Sequence, residues 1–144
     1  MPEVAAKRGT TRTKARKRAL DILFESDLME RDVLTGLADH TERAEPPVRP
    51  FTGELVAGVV GELEELDTAI SAGLPAGWSL QRMPRVDRNL ARLALFELRH
   101  GEADASVVIS EYVGLAGELS TDESPAFLNG LLATLVGRRE GAAG

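Results

Sequence analysis

Apolar residues recur every three or four positions along most of the chain, which is the spacing of one face of an α-helix. This pattern is present in residues 10–28, 51–72, 84–101 and 106–119 and again from residue 124 onward. The period-two alternation that is typical of a half-buried strand is absent. Together with a short additional helix at 32–40, the pattern predicts an all-α fold of about seven helices.

Proline and glycine mark the boundaries between these segments. Three prolines in the stretch AEPPVRP (44–50) cannot continue a helix, and the stretch GLPAGWSL (73–80) is a predicted connector. Pro84 suits the first turn of a new helix, and Gly101 is expected to end it. Ser124 is a predicted helix cap because Pro125 follows it directly.

Residues 51–72 are predicted to form one continuous helix. Its buried stripe would consist of Leu55, Val59, Leu63, Leu66 and Ile70. Gly58 and Gly61 would allow another helix to pack closely, since glycine has no side chain. Glu62, Glu64 and Glu65 would form a solvated outer face.

The length and composition fit one soluble helical domain. The chain has 144 residues, 43% of them hydrophobic and 28% charged, with no run long enough to span a membrane. No apolar stretch follows the basic N-terminus as in a secretory signal, so we expect a cytoplasmic protein. The absence of cysteine excludes disulfides and cysteine-based zinc sites. His40 and His100 match no metal or catalytic spacing, and we expect no metal, cofactor or catalytic group.

Positive charge is concentrated at the start of the first helix. Residues 7–18 carry seven Lys or Arg and no acid, whereas the whole chain has a net charge of −6. A basic segment on an acidic body would confine a polyanion to one patch. Charge alone leaves open the alternative of a solvated N-terminal tail.

Three stretches together carry a more specific signal: ARKRALDILFE (15–25), VDRNLARLALFEL (86–98) and VVISEYVGLAGELSTDESPAFLNGLL (107–132). In this order and spacing they resemble the NusB family of bacterial transcription antitermination factors. Ser110, Tyr112 and Gly117 depart from the usual family pattern. Gly117 stands where a lysine is common, which argues against an RNA contact from that helix.

The resemblance implies a NusB-like helical domain spanning residues 1–144, built from two packed three-helix bundles. We expect residues 1–9 and 138–144 to be flexible. The resemblance also implies that the protein binds the boxA element of ribosomal RNA leader transcripts together with NusE, a small-subunit ribosomal protein. The pair would join the antitermination complex on RNA polymerase without catalysing a reaction. The family includes monomers and homodimers, so a homodimer stays open.

Basic residues of the first helix are the predicted phosphate contacts. These are Arg12, Lys14, Arg16, Lys17 and Arg18. Cations on an ordered helix can neutralise successive phosphates and release counterions. Phe127 and Asn129 are candidates for base contacts, although Phe127 could instead belong to the core and Asn129 could bond to nearby backbone.

Residues at the start of the predicted helix at 84–101 are candidates for the NusE contact. Asp87 would face the basic ribosomal protein, or would alternatively interact with the helix dipole. Arg85 and Arg88 could contact RNA, NusE or local acids, whereas Arg92 is expected to pair with an acid. Asp87 and Arg88 are the two predicted NusE contacts.

Two other functions remain as alternatives. NusB-like domains also occur ahead of a ribosomal RNA methyltransferase, but 144 residues leave no room for a cofactor-binding domain. The chain could instead be a helical protein-interaction module whose basic end is incidental. A gel-shift with boxA RNA would distinguish this module from an antitermination factor.

Overall fold

The fold is all-helical, as the hydrophobic pattern predicts. The computed structural model describes residues 2–43 and 47–143, and the side chains of residues 11–43 and 47–138. Within the described residues there are seven α-helices: α1 (Pro2–Met29), α2 (Val33–Arg43), α3 (Pro50–Gly61), α4 (Leu63–Gly73), α5 (Arg85–His100), α6 (Ala105–Leu119) and α7 (Ser124–Ala143). A short 3₁₀ helix (Leu80–Arg82) lies between α4 and α5.

The fifth helix lies at the centre of the molecule. Helix α5 contacts α1, α3, α4, α6 and α7, and most of its residues are buried, including Leu90, Leu93 and Leu95. Helices α1, α2 and α3 contact one another, and so do α5, α6 and α7. Two crossed three-helix bundles remain a prediction. In the described part of the chain, no helix is long and apolar enough to cross a membrane.

The prediction of a single helix over residues 51–72 is wrong. The chain bends at Glu62, whose φ of −119° and ψ of 18° lie outside the helical range, so α3 and α4 are separate helices. The bend changes the direction of Leu63, which follows it directly, whereas Leu66 and Ile70 of the predicted stripe are fully buried. Leu63, which was predicted to be buried, is consequently 39% exposed.

Two of the three glycines of α3, Gly58 and Gly61, have different roles. A Cβ atom built on Gly58 would lie 2.1 Å from the Phe96 ring, so α5 packs against backbone at this point. This confirms the predicted close approach. A Cβ atom on Gly61 would meet nothing within 4 Å, so the same prediction is wrong for Gly61, which directly precedes the bend at Glu62.

The first helix begins earlier than the hydrophobic stripe indicates. It begins at Pro2 rather than near Thr10. Ala, Lys, Arg and Glu in residues 3–8 favour helix, and proline is well accepted at a first helical position. The side chains of residues 1–10, 44–46 and 139–144 lie outside the described set, as do residues 1, 44–46 and 144 entirely. The expected flexibility of 1–9 and 138–144 therefore stays a prediction.

Candidate RNA-binding surface

Some of the cations at residues 12–18 of α1 are exposed to solvent, and others contact the protein. Arg12 and Lys14 are exposed. Lys17 pairs with Glu118 of α6 at 2.8 Å across the surface, and its pKa is raised by that hydrogen bond and by the charge of Glu118. Arg18 is half-buried and donates from Nε to Nδ1 of His40 at 3.4 Å.

Arg16 is directed into the protein. Its side chain is 3% exposed, and its Nε donates to Glu97 Oε1 at 2.9 Å. Nη1 donates to Glu111 Oε1 at 2.7 Å, and Nη2 pairs with the second oxygen of Glu97. Burial opposes ionisation, but the hydrogen bond and charge of Glu97 outweigh it and raise the pKa of Arg16. Arg16 is thus a structural residue, and the prediction that it contacts phosphate is not supported.

Two further residues complete this network. The Tyr112 hydroxyl donates to Glu97 Oε1 at 2.8 Å, and Thr13 Oγ1 donates to Glu111 Oε1 at 2.7 Å. Tyr112 is fully buried, and burial together with the charge of Glu97 raises its pKa well above the usual value. Tyr112 departs from the usual family pattern, and the buried site accommodates it because its hydroxyl donates to Glu97. We call these residues the α1 anchor: Thr13, Arg16, Glu97, Glu111 and Tyr112.

A groove runs beside the α1 anchor. Its volume is about 610 Å³, and α1, α3, α5 and α6 all contribute to its walls. At one side, the guanidinium of Arg12 lies 4.0 Å from the centre of the Phe51 ring. The Arg16 guanidinium lies 5.5 Å from the same ring. Sequence reasoning missed Phe51 because its neighbours on α1 are distant along the chain.

Asp87 lies inside the protein rather than at its rim. It is 3% exposed and accepts hydrogen bonds from Ser120 Oγ at 2.6 Å and Ser124 Oγ at 2.7 Å. These bonds tie the start of α5 to the loop between α6 and α7. Because Asp87 is buried and both of its oxygens accept from serines, this geometry does not favour a direct contact with NusE, which stays a prediction. Ser124 lies at the predicted start of α7, but its hydroxyl turns back to Asp87.

The other arginines of α5 are mostly paired with acids. Arg88 pairs with Asp27 at 2.8 Å and also donates to the backbone oxygen of Leu80 at 3.2 Å. This supports the local-acid alternative over a direct NusE contact. Arg92 forms a bidentate ion pair with Asp67 of α4, which confirms the prediction that Arg92 pairs with an acid. Arg85 is exposed.

A second surface lies at the other predicted RNA-contact residues. Phe127 is half-buried, and its ring centre is 4.9 Å from that of Trp78, which is 46% exposed. Trp78, Phe127 and Pro84 line a cavity of about 280 Å³. Asn129 is exposed on the same helix as Phe127. Trp78, the only tryptophan in the chain, could have been singled out by its position in a connector.

Sequence relatives match this chain over most of its length. A NusB protein of Acidothermus cellulolyticus is 53% identical over 125 residues, which cover 86% of each chain. A NusB protein of Streptomyces coelicolor is 50% identical, covering 86% of this chain and 91% of that one. The relative in Cutibacterium acnes is 50% identical over 88% of this chain, but the match spans only 49% of that protein's length. All three are described as transcription antitermination proteins.

Solved structures show the same fold. NusB of Thermotoga maritima superimposes with a TM-score of 0.78 at 27% identity and covers 88% of this chain and 90% of that one. NusB in a complex of the antitermination factors NusB and NusE with double-stranded RNA gives a TM-score of 0.76 at 24% identity, with coverage of 88% and 96%. The sequence profile of the NusB family matches residues 13–136. The chain belongs to the NusB family.

Proposed function

We propose that the chain is a transcription antitermination factor that binds boxA RNA together with NusE and acts on RNA polymerase. It acts in the cytoplasm and without catalysing a reaction. Family membership and close relatives that are described as antitermination proteins support this function. The solved complex of a NusB with NusE and RNA supports the choice of partners.

The row of cations in the middle of α1, residues 12–18, is the observation that carries the RNA-binding part of the proposal. Arg12 and Lys14 are exposed cations on a helix that the α1 anchor fixes to α5 and α6. Fixed cations lose little conformational freedom when a phosphate binds. Lys17 can join them, because a surface ion pair such as Lys17–Glu118 is weak and can exchange for a phosphate. Arg18 is a fourth candidate at the end of this series.

The number of phosphates sets the expected salt dependence. Each phosphate neutralised on single-stranded RNA contributes about −0.7 to the slope of log K against log[salt]. Contacts from Arg12 and Lys14 alone predict a slope of about −1.4, and four contacts predict about −3. The measurement is a gel-shift titration of boxA RNA and a scrambled RNA, with and without NusE, over a range of salt concentrations.

A paired substitution tests the surface directly. The variant Arg12→Ala with Lys14→Ala removes two exposed cations. It should weaken boxA binding and make the slope of log K against log[salt] less negative by about 1.4. The matched control, Arg43→Ala with Arg138→Ala, removes two exposed cations from α2 and α7 and should keep the slope. Equal effects of the two double variants would contradict a specific role for α1. Absence of any preference for boxA over scrambled RNA, even with NusE, would contradict the proposed function.

Phe127 and Asn129 provide a second proposed contact with RNA. The exposed Trp78 beside Phe127 supports this, because unpaired bases stack on aromatic rings. Glu123 lines the same cavity and would repel a phosphate, so a base fits better there than the RNA backbone. Trp78→Ala should weaken RNA binding without changing the salt slope, because the lost contact is uncharged.

A further inference from the structure

We propose that the groove beside Arg12 is a pocket for one unpaired nucleobase that carries an amino group. This inference deepens the proposed RNA binding and rests on it. The pocket would read a base, whereas Arg12 and Lys14 otherwise supply only sequence-independent contacts to phosphate. It is distinct from the surface at Trp78 and Phe127, because none of the residues that line one cavity line the other.

A planar platform forms one wall of the groove. Phe51 lies under one face of the Arg12 guanidinium at 4.0 Å, which holds that group flat against α3. The opposite face is therefore the one that a ligand can reach, and Arg12 is exposed. Nucleobases stack on arginine planes as well as on aromatic rings. The groove volume of about 610 Å³ falls in the range of small-ligand sites.

The polar groups that line the groove include several hydrogen-bond acceptors. Glu54 and Glu102 are exposed carboxylates at the edges of the groove, and Glu111 lies deeper. Ionised carboxylates only accept hydrogen bonds. One oxygen of Glu111 is already occupied by Thr13 and Arg16, so Glu54 and Glu102 are the acceptors assigned to the ligand.

These carboxylates select a base by its donors. Cytosine, adenine and guanine each present an exocyclic amino group, whereas uracil presents none. A carboxylate can accept from such an amino group, as glutamate does from cytosine. The groove is therefore expected to favour an amino-bearing base over uracil, and to exclude a phosphate by charge repulsion.

The same carboxylates could attract a lysine or arginine from a partner protein. Two features favour the base. The Arg12 guanidinium at the wall repels a second cation, and the buried carboxylate Glu97 is already neutralised by Arg16. A neutral base avoids the repulsion and also gains the stacking contact with Arg12.

The first measurement compares RNA oligomers that differ at one base. An oligouridine is titrated beside the same oligomer with a single central cytosine, adenine or guanine, using fluorescence anisotropy at fixed salt. We expect each amino-bearing base to tighten binding by about fivefold, because uracil stacks as well but lacks the amino group, and a base-edge hydrogen bond is typically worth about 1 kcal/mol or more. Equal affinity for all four oligomers overturns the pocket and leaves the proposed function intact.

Two variants separate the pocket from phosphate binding. Arg12→Lys keeps the positive charge but removes the plane that holds a base against the carboxylates, so the base preference should shrink while the salt slope stays unchanged. Glu54→Gln with Glu102→Gln should also reduce the preference. Its matched control is Glu64→Gln with Glu65→Gln, which removes two exposed acids from α4 and should leave the preference unchanged.

The remaining outcomes are also decisive. A base preference that persists in both Arg12→Lys and the Glu54/Glu102 variant overturns the pocket. If an oligoarginine peptide binds more weakly to the Glu54/Glu102 variant than to the wild type, and base identity has no effect, the groove is a protein-docking site. If the wild type shows no salt-dependent RNA binding at all, the proposed function itself is refuted.

Discussion

Replacing Arg16 tests whether the α1 anchor stabilises the fold. Arg16→Leu leaves the buried carboxylate of Glu97, which is 2% exposed, with the Tyr112 hydroxyl as its one hydrogen-bond donor among the described side chains. Removing one partner of a buried ion pair typically costs about 3–5 kcal/mol, because the other charge remains desolvated. Since a domain of this size is stable by about 5–15 kcal/mol, the variant should fold but unfold at a much lower urea concentration.

Two companion variants calibrate that loss. Arg12→Leu lies one turn earlier and removes an exposed cation with its contact to Phe51, so it should cost less than about 1 kcal/mol. Tyr112→Phe removes one hydrogen bond to an ionised carboxylate that keeps Arg16, so it should cost about 1.5 kcal/mol. The assay is urea denaturation followed by far-ultraviolet circular dichroism.

The outcomes discriminate between a structural and an RNA-binding role for Arg16. If Arg16→Leu and Arg12→Leu have the same urea midpoint, the buried network does not stabilise the fold and the reasoning is refuted. RNA titrations are made at a temperature where both variants are folded. Arg12→Leu should make the salt slope less negative by about 0.7, because one phosphate contact is lost. Arg16→Leu should leave the slope unchanged.

Two further predictions concern packing and pH. Gly58→Ala should destabilise the protein by about 1–3 kcal/mol, because the new methyl group overpacks against Phe96. In the control Gly53→Ala the methyl group meets nothing within 4 Å, so that variant should be neutral or stabilising. Equal thermal melting points of the two variants would contradict the close packing. The pKa of Asp27 is lowered because hydrogen bonds from Arg88 and Asn89 outweigh the burial that would raise it. The contribution of the Asp27 carboxylate to stability is thus complete above the unfolded pKa near 3.8 and is lost as pH falls below that value. Asp27→Asn should therefore be less stable than wild type at neutral pH, and the difference should shrink in acid.

The sequence predicts the helices well because the physical signal for a helix is local. In the predicted helix at 10–28, for example, Ala19, Leu20 and Leu23 recur at helical spacing and are almost fully buried. The same reasoning fails at Leu63 because it assumes a continuous helix. A single residue with non-helical dihedrals at Glu62 turns Leu63 towards solvent while Leu66 and Ile70 stay buried, and spacing does not reveal such a local bend.

The candidate site is less predictable because its contacts are distant along the chain. Arg16 bonds to residues 81 and 95 positions away, so nothing in the run of cations distinguishes it from its neighbours. The two acids that receive it, Glu97 and Glu111, lie within the stretches that carry the family resemblance. A buried acid on a helix face that is otherwise apolar is the signal that could have indicated a buried cation elsewhere.

The spacing of Arg12 and Arg16 connects the fold to the proposed RNA binding. The two residues are one helical turn apart, and both guanidinium groups lie near the Phe51 ring, at 4.0 and 5.5 Å. Arg16 is fixed from inside by two carboxylates, so the turn that carries Arg12 is fixed as well. A helix held in this way presents Arg12 to a ligand with little further loss of conformational freedom. We therefore expect the α1 anchor to contribute to RNA affinity through order rather than through charge.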